Sequence, residues 1–243
     1  MKKPYVKKIC DIAGFHVWYV NGYWIRKHFG REGKEFTNYG QNYKFKFIPK
    51  NEFWIDVEAG KRKEINYYIN SMLLMEHLLE EGVSHKKAVK IASKMEKAER
   101  LKLKSVQKLE EEKQNQEKII KRVHKRFLKK LSREIQVWIV RGDLVRSLFF
   151  VDFTQGGHDK VYDFIPKGEV WIDDDVYYKE IPFILIHELH ERYLVMKDKT
   201  SKNMKEAYEK AHVKANELEY YCRHHPKEIG KILRREIKRN RVE

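Results

Sequence analysis

The chain has 243 residues, 42% hydrophobic and 13% aromatic, enough for one large core or two of roughly 100 residues each, which excludes collagen-like, disulfide-scaffold and fully disordered classes. With 52 Lys and Arg against 36 Asp and Glu, its net charge of +16 predicts attraction to an acidic partner, nucleic acid first. Apolar stretches such as Ile181 to Ile186 fall far short of the roughly 20 residues of a membrane span, and no signal-peptide core is present; Cys10 and Cys222 form no C-x-x-C pair, so a cytoplasmic protein with unpaired thiols and no membrane contact is expected.

In chain order, the apolar residues around Gly22 predict two short strands about a turn, and Phe47 to Asp56, FIPKNEFWID, predicts an extended stretch. The same words return. Phe164 to Asp173 reads FIPKGEVWID, identical at eight of ten positions, and Val137-Trp138-Ile139-Val140-Arg141-Gly142 answers Val17-Trp18-Tyr19-Val20-Asn21-Gly22. Arg26 matches Arg146, Glu64-Ile65 matches Glu180-Ile181, and Ala88, Ala92 and Glu96 match Ala211, Ala215 and Glu219. The chain is therefore read as an α+β tandem duplication of a small sheet followed by two helices. The first repeat covers residues 14–96 and the second 134–221.

In the second copy Pro182 suits a first helical turn and Phe183 to Lys197 fits a helix. Met204, Tyr208, Ala211, Ala215 and Leu218 then recur at helical spacing, and Ala207, Ala211 and Ala215 let this second helix approach its neighbour closely. Between the copies, residues 97–133 contain no proline or glycine and predict a long basic helix. From Lys97 to Glu134 there are 14 Lys and Arg against 6 Glu, a net of +8. Residues 222–243 form a basic C-terminal helix or tail. These two segments are the candidate nucleic-acid contacts; Trp18/Trp138 and Trp54/Trp171, present in both copies, read as core.

Positions that are ionisable in only one copy single out one helix. Ile186-His187-Glu188-Leu189-His190-Glu191-Arg192 faces Asn70-Ser71-Met72-Leu73-Leu74-Met75-Glu76, and His212 faces Val89. At 100° per residue His187 lies between His190 and Glu191, so all three share a face, with His212 and Glu219 on the next helix. Two helix-borne ligands plus a histidine from a second helix is a three-ligand zinc arrangement. A hydrogen-bonded histidine–glutamate network without metal is the alternative. His158, in the loop Thr154-Gln155-Gly156-Gly157-His158-Asp159, is a further ligand or a transition-state hydrogen-bond donor, or simply a turn histidine. Asp173-Asp174-Asp175 reads as a strand end with a cap.

His187-Glu188-Leu189-His190-Glu191 resembles the His-Glu-x-x-His signature of zincin-like metallopeptidases, with Glu191 in place of the second histidine. The resemblance implies His187 as first ligand, Glu188 as general base, Glu191 as carboxylate ligand and His212 or Glu219 as third ligand. His190 has no role in that pattern and stands beside it as a candidate ligand. The implied function is a zinc-dependent hydrolase of peptide or protein substrates, with iron or manganese acceptable to the same donors. The first repeat would be its site-less copy. The alternative is a non-catalytic nucleic-acid-binding protein using the basic central helix and tail.

Overall fold

A computed structural model describes residues 4–59 and 64–241. They divide into two compact units, one of the described residues up to 120 with 143–154, the other of residues 121–142 with those from 155 onward.

Unit 1 carries strands β1 (Tyr5–Ile12), β2 (Phe15–Val20), β3 (Tyr39–Gln41) and β4 (Glu52–Asp56) in the order β1-β2-β4-β3. The β2/β4 pair is parallel, from His16↔Glu52 to Val20↔Asp56, and the outer pairs are antiparallel. Short helices α1 (Gly22–His28) and α2 (Gly30–Lys34) lie between β2 and β3. Helix α1 starts where Asn21 Oδ1 accepts the Trp24 N–H at 2.9 Å, an N-cap that ends the strand. The pair α3 (Ile65–Glu80) and α4 (His85–Leu101) follows the sheet. Val17, Phe53 and Ile55 of the sheet and Tyr68, Ile69 and Met72 of α3 make its core.

Unit 2 repeats the plan. Strands β5 (His124–Lys130), β6 (Gln136–Val140), β7 (Gly156–His158) and β8 (Glu169–Asp173) stand in the order β5-β6-β8-β7, with β6/β8 parallel from Gln136↔Glu169 to Val140↔Asp173. Helices α8 (Ile181–Lys197) and α9 (Met204–His224) follow, then α10 (Ile229–Arg239). Small details recur as well. Trp54 Nε1 donates to Glu52 at 2.6 Å in one sheet and Trp171 Nε1 to Glu169 at 2.7 Å in the other. The same two carboxylates are met by Tyr5 Oη and by His124 Nε2, each at 2.8 Å. The α+β duplication expected from the sequence is the architecture of the protein.

Two expectations are corrected. The first concerns residues 97–133, which are not one long helix: α4 ends at Leu101, α5 (Lys104–Glu111) and α6 (Gln116–Val123) follow, and β5 is an edge strand of the second sheet. Asn115 Oδ1 accepts the Lys118 N–H at 3.1 Å, capping α6 without any glycine or proline. Pairing with β6, from His124↔Val140 to Lys130↔Gln136, makes a strand of a basic stretch whose local preference is weak. The second concerns the residues after Gly22 and Gly142, which form α1 and α7 (Gly142–Leu148) rather than second strands. The strands paired with β2 and β6 lie upstream instead, as β1 and β5, so each structural repeat begins earlier than the sequence match. From Asp143 to Thr154 the chain belongs to unit 1.

Helix α8 is buried on most of its surface. Ile184, Leu185 and Leu189 pack on Val137, Ile139, Val170 and Ile172 of the sheet, and Leu233 and Ile237 of α10 join the same cluster. Ala207, Ala211 and Ala215 of α9 are buried, as close helix packing requires. No described helix is long and apolar enough to cross a membrane, and both cysteines are free.

Candidate metal centre

Glu191 is the hub of the histidine cluster in unit 2. Its Oε2 lies 2.7 Å from His212 Nδ1 and 3.5 Å from His187 Nε2, and its Oε1 lies 3.1 Å from His158 Nε2. The i,i+4 spacing on α8 brings His187 and Glu191 together, α9 supplies His212, and the short strand β7 supplies His158. Burial alone would raise the Glu191 carboxyl; hydrogen bonds from the three histidines outweigh it and hold the group far below the usual carboxylate range.

The imidazoles differ in what their second nitrogen does. His187 Nδ1 donates to Glu219 Oε2 at 3.0 Å, and Nε2 is the ring nitrogen directed to Glu191 at the centre. Burial opposes charge on this ring, but the hydrogen bonds to Glu191 and Glu219 prevail, and in the absence of a metal its pKa is held well above the ordinary value. His158 Nδ1 accepts the Lys160 backbone N–H at 3.2 Å, which leaves the proton on Nε2, donated to Glu191. This fully buried ring is pushed toward its neutral form. His212 is half-exposed and forms the open side.

Glu188 makes no hydrogen bond or ion pair among the described residues. Burial raises its carboxyl to about 8; the nearby His187 charge counters this in part, while Glu191 and Glu219 add to it. Gly156 makes room for this carboxyl: a Cβ there would lie 3.0 Å from Glu188 Oε1 and 2.9 Å from the Trp171 carbonyl oxygen. Gln155, just before it, has φ 61°, a left-handed conformation uncommon for a residue with a side chain. The opening of β7 is thus shaped around the site.

His187, Glu191 and His212 can each direct one ligand atom to a common point, with all three atoms within 4.8 Å of one another, and His158, Glu188 and Glu191 form a second such group sharing Glu191. Two imidazole nitrogens and a carboxylate suit zinc, whose bonds of about 2.0–2.2 Å fit a triad of this span. Once it gives up its proton, Nε2 of His187 can bind a metal while Nδ1 is fixed by a carboxylate, the usual outer partner of a ligating histidine. The proton on His158 Nε2 makes that ring a donor to Glu191 rather than a ligand.

The remaining candidates lie around the triad. Glu219 is the partner of His187 Nδ1. Its Oε1 accepts from Arg223 Nε at 2.9 Å and Nη2 at 2.6 Å; burial raises this carboxyl, and the charge of Arg223 together with His187 drives it well below its ordinary range. His190 turns to α10, where its Nδ1 meets Glu236 Oε2 at 2.9 Å. Asp173 Oδ1 accepts the Asp175 N–H at 3.0 Å, a local turn at the strand end. Sequence reasoning passed over Arg223 and Glu180, which pair at 2.5 Å beneath Glu219, and Arg192, which holds Asp159 at 2.6 Å and Asn240 at 3.0 Å. Arg223 was within reach of the duplication, since Arg100 stands at the matching position four residues after Glu96.

No protein-family model matches the chain, and no curated protein or solved structure matches it.

Proposed function

We propose that the second copy is a metal-dependent hydrolase acting on peptide or protein substrates. The observation that carries this reading is the convergence of His187, His212 and Glu191 beside a buried carboxyl, Glu188, raised to about 8. His187 Nε2, His212 and Glu191 would hold the ion. Zinc, with iron or manganese as alternatives, would supply Lewis acidity that polarises a carbonyl and acidifies water toward a pKa of about 7. Glu219 keeps His187 in the tautomer that presents Nε2, and His158 holds Glu191 by its other oxygen. Glu188 is the proton carrier: near a cation its carboxyl ionises more readily, takes a proton from the attacking water and delivers it to the leaving amine as the C–N bond breaks.

The test is elemental analysis after dialysis against a weak chelator. About one zinc, iron or manganese per chain is expected in the wild type and none in the His187→Ala/His212→Ala variant. Glu188→Gln should keep the metal and lose peptide hydrolysis. Equal metal content in wild type and double variant removes this reading.

A second reading, non-catalytic nucleic-acid binding, is favoured by one feature of unit 2. Lys197 of α8, Lys238, Arg235 and Arg239 of α10, and Arg241 line a single groove with Tyr193 and no acidic residue. Cations beside an aromatic ring are the chemistry of single-stranded nucleic-acid sites.

A further inference from the structure

Unit 1 has a cavity of about 390 Å³ at the positions where unit 2 has its histidine cluster. Ser71, Met72, Met75 and Val89 take the places of His187, Glu188, Glu191 and His212, and all four line it. Gln41, paired with Phe53 as His158 is with Val170, takes the place of His158. In place of the charged cluster unit 1 has a mainly apolar chamber. Tyr39, where unit 2 has Gly156, stacks on Tyr68 at 4.6 Å between centroids and forms another wall.

The chamber is not apolar throughout. Gln41 Oε1 is buried, in a residue only 4% exposed, and has no hydrogen-bond donor among the described residues; Tyr43 Oη is likewise unpartnered. Buried acceptors are rarely left so. Two exposed residues of opposite charge, Lys44 and Asp152, also line the cavity. Ser93 Oγ lies 3.5 Å from Asp152 Oδ1, and Lys44 and Asp152 attract one another without a contact ion pair among the described residues. Val89, 37% exposed, marks the opening.

We propose that this cavity binds an aromatic α-amino acid whose ring carries an N–H or O–H. The chemistry matches group by group. Lys44 faces the carboxylate and Asp152 the ammonium, Met72, Met75 and Val89 enclose the ring, and Gln41 Oε1 accepts the ring's proton. The volume suits a ligand of this size. A purely apolar ligand would leave Gln41 unmet, and a ligand of single charge would engage only one of Lys44 and Asp152.

The experiment is titration calorimetry of the full chain with L-tryptophan, in chelator so that the histidine cluster cannot capture the amino acid through a metal. Saturable binding is expected, unchanged in the His187→Ala/His212→Ala variant, so that this site and the hydrolase reading stand or fall separately. Tryptamine, indole-3-propionate and L-phenylalanine should each bind at least about tenfold more weakly, since each lacks one matched group. Gln41→Leu should abolish the preference over phenylalanine, and Val89→Trp, checked by circular dichroism to be folded, should abolish binding. The proposal is overturned by absence of saturable binding up to about 5 mM L-tryptophan, by equal affinity for the two singly charged analogues, or by undiminished binding in folded Val89→Trp.

Discussion

The helix pairs α3/α4 and α8/α9 are built on one ionic frame and filled differently. In both, an Arg on the second helix binds the Glu one turn before it: Arg100 with Glu96 at 2.9 Å and Arg223 with Glu219 at 2.9 Å. Each guanidinium also reaches the Glu that precedes the first helix, Glu64 or Glu180, and sits over an aromatic ring, Tyr67 at 4.5 Å or Phe183 at 4.6 Å. What the copies share is therefore a buried Glu–Arg–Glu brace that fixes the two helices. What they do not share is the layer above it. Unit 2 places three histidines and two glutamates there; unit 1 places Gln41, Ser71, Met72, Met75 and Val89. A brace common to both copies answers to the fold. Glu219 is the point at which the brace touches the layer that only unit 2 carries.

The largest expected effect comes from cutting the brace in the copy that carries the cluster. Arg223→Leu removes the guanidinium that Glu180 and Glu219 share in the interior, and loss of one partner of a buried ion pair costs about 3–5 kcal/mol. Urea unfolding should show this loss, and the variant should bind zinc about 10–100-fold more weakly because Glu219 no longer holds His187 firmly. In the other copy Arg100→Leu removes the matching guanidinium, while Glu64 keeps Arg146, which reaches it through Nε at 3.0 Å and Nη2 at 2.5 Å, and zinc binding by unit 2 should be unchanged. Zinc affinity unchanged in Arg223→Leu would mean that the brace does not hold His187 through Glu219.

A second contrast is one of pH. The Glu188 carboxyl, at about 8 in the fold against an ordinary value of 4.5, keeps its proton in the folded chain while the unfolded chain releases it. The unfolded state then binds fewer protons, so the metal-free protein loses stability as pH rises from about 5 to about 8. His187, raised in the fold, acts in the same direction above its ordinary 6.5: its contribution is complete below that value and fades as pH rises through the folded pKa. Glu191 and Glu219, depressed in the fold, act at more acid pH, with stability lost as pH falls. Glu188→Gln should remove about 2–4 kcal/mol of the decline between pH 5 and pH 8. Met72→Gln, at the matching place in unit 1, should leave the decline intact. An unchanged slope in Glu188→Gln would show that the carboxyl titrates normally.

Much of this contrast is legible in the amino-acid sequence. The repeated FIPK words expose the duplication, the alanine spacing exposes the close approach of α9, and subtraction of one copy from the other marks His187, Glu188, Glu191 and His212. Less legible are features whose cause lies far off in the chain. The strand β5 forms because β6 offers an edge, so the even, basic composition of residues 97–133 suggests only a helix. His190 shares a helix face with His187, yet its partner Glu236 lies 46 residues on. The His158 tautomer depends on one backbone N–H, that of Lys160, which no spacing rule anticipates.

The smallest expected effect concerns α10, the last helix of unit 2. Helix α10 buries Ile232 and Glu236 and exposes Arg235, Lys238 and Arg239. Arg235 Nε and Arg239 Nη1 lie 2.7 and 3.2 Å from Glu236 Oε1, whereas Lys197, Lys238 and Arg241 make no ion pair among the described residues. These three are the cations most available to phosphates. If the groove carries single-stranded nucleic acid, fluorescence anisotropy with a labelled oligonucleotide should give an affinity that falls steeply with salt. Lys238→Gln should weaken binding by about 1 kcal/mol irrespective of base sequence and lower the salt slope by about one phosphate contact. Lys46→Gln, an exposed lysine of unit 1 outside this groove, should do neither. Binding that survives Lys197→Gln/Lys238→Gln/Arg241→Gln with its salt slope intact would place any nucleic-acid contact away from α10, and would leave the helix with the role its buried face performs: bracing His190 through Glu236 and the Leu189 carbonyl through Asn240.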